Sequence, residues 1–177
     1  MSALFGKDRR NMMLGMSLST FTTVHVIISL VGIAAGLVVV FGLLSAKPLN
    51  GWTALFLLTT VLTSVTGFGF PFEHFLPSHK VGIISLVVLA IAVLARYSFH
   101  TAGSWRWIYV VTAMIALYLN VFVLVVQSFE KVPSLKAMAP TQSEPPFLVA
   151  QLVVLALFIV LSIFAVKKFH PQAGRAV

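Results

Sequence analysis

The chain has no cysteine among its 177 residues. Disulfides, thiolate metal sites, iron–sulfur clusters and covalently attached c-type haem are therefore excluded. Charge is scarce as well: Asp, Glu, Lys and Arg make up 9% of the residues, against roughly 25% in an ordinary soluble domain. A soluble fold covers its outside with charge, which twelve basic and four acidic side chains cannot do at this length. With 59% hydrophobic residues, this is the composition of a chain covered by lipid.

The carboxylates are Asp8, Glu73, Glu130 and Glu144. None falls inside an apolar run, whereas proton-coupled transporters place ionisable groups at mid-membrane. Enzymes acting on membrane lipids need carboxylate clusters, or a nucleophile with its base. No G-x-S-x-G or comparable motif occurs here, so the case for an enzyme is weak. The net charge of +8 is not a nucleic-acid footprint, because Lys and Arg stand singly or in twos and threes beside apolar runs, as they do at phospholipid headgroups. No nucleic-acid partner is expected; the lipid bilayer is.

What the sequence has in abundance is long hydrophobic runs: residues 22–44, 52–70, 81–99, 107–129 and 147–166. Each approaches or exceeds the roughly 20 helical residues that cross a hydrocarbon core of about 30 Å. They do not alternate with period two, so helices are expected rather than barrel strands. The expected fold is all-α, a polytopic membrane helix bundle with five transmembrane helices in a multi-pass protein of a bacterial-type inner membrane. An N-terminal interfacial segment (1–21) precedes the five-span domain (22–169), and a short tail (170–177) follows. The first twenty residues lead into an apolar run too long for a signal peptide's core, so that span is expected to be uncleaved.

Connections are short. "SAKPLNG" (45–51) carries the Asn50-Gly51 turn signal, and "HTAGSWR" (100–106) is expected to turn at Gly103. The first four spans should then pack as sequential antiparallel neighbours. Residues 130–146 form the longest loop, a candidate lid or partner contact. Trp52, Trp105, Trp107 and Tyr109 fall at span ends, where interfacial aromatics sit.

Five spans place the N-terminus on one side, A, with loops 71–80 and 130–146. The basic residues then divide evenly: Lys7, Arg9, Arg10, Lys80, Lys131 and Lys136 on side A; Lys47, Arg96, Arg106, Lys167, Lys168 and Arg175 on side B. The positive-inside rule is silent on such a division, although the basic flank before the first span favours a cytoplasmic N-terminus. The acidic residues, by contrast, all fall on side A, together with His25, His74 and His79.

Candidate site residues converge there. In the first span His25, Ser29, Gly32 and Gly36 lie on one helical stripe, and Gly32 with Gly36 forms a GxxxG seam for close helix packing. Asn120 and Gln127 share a face of the fourth span with Glu130 just beyond, and Gln151 lies one turn inside the fifth. Glu73, His74 and His79 belong to the connection just above. Together these residues are expected to form a polar His/Glu pocket open on side A. His25, Glu73, His74 and His79 are the candidate ligands for a metal or a b-type haem, while Ser29, Asn120, Gln127, Glu130 and Gln151 orient what binds.

The plainer reading is that helix ends are where polar residues go and that amides in hydrocarbon pair with one another. Glu73, His74 and His79 also match none of the strong metal signatures such as H-E-x-x-H. The functional expectation is a small binding or accessory subunit. Its alternatives are an interaction protein that assembles with other membrane subunits or with itself, and a haem- or metal-linked redox protein.

Overall fold

In the computed structural model, residues 12–13, 16–70 and 77–170 are described, with side chains from 16–70 and 78–170. Met12–Met13 (β1) pairs antiparallel with Met16–Ser17 (β2). Both short strands fall within the N-terminal segment expected to be interfacial. Six helices follow: α1 (Leu18–Leu44), α2 (Asn50–Gly67), α3 (Pro77–Val93, continued by a π-helical turn at Leu94–Ser98), α4 (Trp105–Lys131), the short α5 (Pro133–Met138) and α6 (Pro145–Lys168).

Among the described residues the protein is all-α apart from that strand pair, and four helical segments are long and apolar enough to cross a membrane: α1, α3 with its π turn (Ser78–Ser98), α4 and α6. The fifth expected span, α2, is 18 residues long and carries Asn50 and a series of hydroxyl residues; it is not among the four.

Local chemistry explains the helix ends. The Ser17 hydroxyl accepts from Thr20 N–H at 3.1 Å and caps α1. Pro145 and Pro146 begin α6, where the missing N–H costs nothing. The turn between α1 and α2 lies before Asn50-Gly51: Ala46 takes a positive φ of 55°, and Asn50 already begins α2. The turn into α4 does use Gly103, at φ +51°, preceded by His100 and Thr101 in the same left-handed region.

Consecutive long helices pack antiparallel, as short connections require, and α4 lies centrally, packed against α1, α2, α3 and α6. The seam between α1 and α2 runs nearly their whole length. His25 meets Thr66, a Cβ on Gly32 would lie 3.1 Å from Thr59 Oγ1, and one on Gly36 would lie 2.9 Å from Phe56 Cδ2. The core fills the side-B half of the bundle with Phe56, Leu57, Val110, Met114 and Leu117, all buried. Outward faces are apolar instead of charged; α6 buries only Gln151, Phe158 and Ala165.

At side B, arginines tie the helices together. Arg106, in the first turn of α4, donates to Val166 O at 2.9 Å and Phe169 O at 2.6 Å, covering carbonyls left open by the end of α6. Arg96, in the π turn, donates to Asn50 Oδ1 and places its guanidinium 5.4 Å from the centre of the Tyr109 ring. Tyr109 is therefore no interfacial aromatic: it is 1% exposed, with its hydroxyl 3.5 Å from Thr53 Oγ1.

Candidate functional site

The side-A half of the bundle is less tightly filled. Between α1, α2, α3 and α4 lies a cavity of about 540 Å³, within the range of small-molecule sites. His25, Ser29, His79, Asn120, Gln127 and Glu130 all line it. Thr22, Thr63, Ser64, Ser78, Ser85, Ser128 and Lys131 contribute the other polar side chains, among apolar residues such as Ile33, Phe68 and Leu119. Nothing in the spacing of the hydroxyl residues of α2 and α3 says that they face a space.

His25 is fixed by its neighbours. Its Nδ1 lies 2.8 Å from Thr66 Oγ1, and its ring meets Phe70 edge to face at 5.1 Å. His79, from α3, is buried and lies against the Phe68 ring at 5.6 Å. One imidazole thus enters the cavity wall from α1 and another from α3.

The hydroxyls spend their protons inward. Thr22 donates to Leu18 O at 2.8 Å, Ser29 to His25 O at 2.8 Å and Thr63 to Thr59 O at 2.9 Å. Ser64 donates to Thr60 O at 3.0 Å. Its oxygen is also 3.0 Å from Ser85 Oγ, so Ser85 is the donor of that pair. Ser128 donates to Leu124 O at 2.7 Å. Asn120 Nδ2 donates to Thr60 Oγ1 at 3.3 Å, and Thr60 is fully buried. Hydroxyls bonded back to the helix in this way cost the membrane interior little.

Towards side B the polar wall stops. Phe56 and Leu57 occupy the α2 turn between Thr60 and Thr53, and Met114 and Leu117 face them from α4. The cavity's lining reaches no farther towards side B than Ile33, Thr63, Ser85 and Leu119.

The candidates from sequence separate into four groups. His25, Ser29, His79, Asn120, Gln127 and Glu130 are brought to one cavity. Gln151 is not: it is 8% exposed, its amide donates to Phe122 O at 3.3 Å, and its Oε1 is buried without a partner. It faces the α4–α6 contact. Glu73 and His74 lie outside the described residues. Gly32 and Gly36 face α2, and Gly36 also faces Leu117 of α4. Among the described residues no three His, Asp or Glu side chains come together as a metal-binding group.

The loop 130–146 is ordered over α4. Residues 133–138 form α5, and Gln142 Nε2 donates to Val126 O at 3.0 Å. Glu144 closes the loop by accepting from Thr141 N at 3.1 Å, Thr141 Oγ1 at 2.9 Å and Ser143 N at 3.1 Å. Desolvation pushes its carboxyl up, but these hydrogen bonds together outweigh it and hold the group below its ordinary range. Comparison with known proteins gave no match to a family model, a curated protein or a solved structure.

Proposed function

We propose that this protein is a five-span binding subunit of a bacterial-type inner membrane, which holds a small amphiphilic ligand in the cavity on side A. One observation carries the reading: side chains from four helices, otherwise costly in hydrocarbon, line one space confined to the side-A half of the bundle. A cavity that does not reach side B suits binding, since conduction needs a polar path to both faces. The apolar walls suit a lipophilic body, and His25, Asn120 and the hydroxyls suit a polar head.

The fifth crossing rests on packing. Alpha-helix α2 follows α1 antiparallel from Leu49 near Gly42 to Thr66 beside His25. Its 18 residues span about 27 Å at 1.5 Å per residue, close to the thickness of the hydrocarbon core. Sheltered on its hydroxyl-bearing face by α1 and α4, α2 needs less hydropathy than a helix ringed by lipid.

The test is native mass spectrometry of protein released from lipid nanodiscs. Wild type should retain a small bound mass that Ser29→Trp, which fills the cavity, loses while remaining folded. Identical spectra free of any added mass would count against the reading. The assembly-protein alternative has its own support in the outward face of α6, which is apolar along its length; a protein of that kind would give subunit or lipid masses insensitive to Ser29→Trp.

A further inference from the structure

The donor and acceptor balance of the cavity narrows the ligand class. Each hydroxyl has one proton to give and two lone pairs to offer. Ser29 and Thr63 give theirs to carbonyls of their own helices, Ser64 does the same, and Ser85 gives its proton to Ser64. What these groups have left is acceptor capacity.

His25 follows the same rule. Thr66 donates to Leu62 O at 2.7 Å, and its proton also lies towards Thr63 O at 3.2 Å. Its oxygen can therefore only accept from His25, which places the imidazole proton on Nδ1 and the lone pair on Nε2. Asn120 and Gln127 carry both kinds of group, and Ser78, Glu130 and Lys131, which also line the cavity, are exposed, so the hydroxyls and His25 tip the balance in its buried part. A ketone or ether head placed there would meet mostly lone pairs.

We infer that the cavity selects a lipophilic molecule whose head donates hydrogen bonds, an alcohol or phenol on the one hand or an amine on the other. This rests on the binding reading proposed above. It names the head of the ligand, and the ligand's source is left to the arms of the test.

The experiment is a thermal-shift titration of the full chain in nanodiscs of one lipid composition. The probes are 4-heptylphenol, its methyl ether 4-heptylanisole and 4-heptylbenzylamine, compared at equal concentration in the bilayer. The phenol should stabilise the protein, with the ether about tenfold weaker, the ratio expected from loss of one buried hydrogen bond. The amine arm separates the sources: binding tighter than the phenol identifies an ammonium head, and weaker binding a hydroxyl head.

Ether and phenol binding equally, with both lost in Ser29→Trp, would overturn the donor inference and leave the cavity as a binding site. No shift with any probe would overturn both. The wild-type comparison of phenol with ether decides the matter even if Ser29→Trp fails to fold.

Discussion

His25 Nδ1 lies 2.8 Å from Thr66 Oγ1, and Thr66 Oγ1 lies 2.7 Å from Leu62 O of its own helix, an arrangement that favours the tautomer with the proton on Nδ1. The consequence is spectroscopic. In ¹⁵N NMR of selectively labelled protein, neutral His25 should carry its proton on Nδ1. Thr66→Val removes the acceptor, costs about 1 kcal/mol and should release the ring to a mixture of tautomers. An unchanged spectrum would mean that the hydrogen bond does not set the proton's position.

The two glycines of the seam should differ. A methyl group on Gly36 would lie 2.5 Å from Leu117 Cδ1 and 2.9 Å from Phe56 Cδ2, side chains that are themselves buried and cannot withdraw. At Gly32 the nearest atom is Thr59 Oγ1 at 3.1 Å. Overpacking of this kind costs about 1–3 kcal/mol, and the better helix propensity of alanine returns at most about 1 kcal/mol. Gly36→Ala should therefore destabilise the protein in equilibrium unfolding, and Gly32→Ala should have the smaller effect.

At side B, Arg106→Ala should loosen the end of α6. Two hydrogen bonds from a guanidinium to Val166 O and Phe169 O are lost, at about 1.5–3 kcal/mol each for bonds of charged groups. Hydrogen exchange should accelerate in residues 165–170 and leave the start of α6 unchanged. Exchange spread evenly over α6 would contradict the local role of Arg106.

The Glu144 loop should respond to acid. Its carboxyl is held below the ordinary value of 4.5 by hydrogen bonds from Thr141 and Ser143. A group with a depressed pKa in the folded state contributes stability above its unfolded pKa and loses it as pH falls through the folded one. Amide protection at Thr141 and Ser143 should thus be constant above about pH 5 and fall below it. In Glu144→Gln the acid-dependent loss should vanish.

How much of this could be read beforehand depends on what a residue's position in the chain encodes. Apolar runs bounded by polar residues mark helices and their ends, so the helices and their antiparallel order were legible. Facing was not, because a helix that is apolar all round carries no stripe to say which side turns inward. Gln127 and Gln151 are both amides in apolar helices, yet one lines the cavity and the other turns to Phe122 O. Tyr109 looked interfacial for the same reason, but Phe169 and Arg96 lie against its ring and it belongs to the buried core. The acceptor-rich wall was beyond reach, since it depends on which neighbour takes each hydroxyl's proton.

The absence of cysteine allows the central claim, a five-span bundle with a cavity open to one face alone, to be tested by single-cysteine labelling. Lys47→Cys, Ser64→Cys and Lys131→Cys would each be exposed to a membrane-impermeant maleimide in vesicles of both orientations. If α2 crosses, Lys47 and Lys131 lie on opposite faces; if it does not, they share one. The account predicts opposite faces for those two positions, and labelling of Ser64→Cys from the Lys131 side alone. Lys47→Cys and Lys131→Cys reacting from the same side, or Ser64→Cys reacting from the Lys47 side, would contradict it.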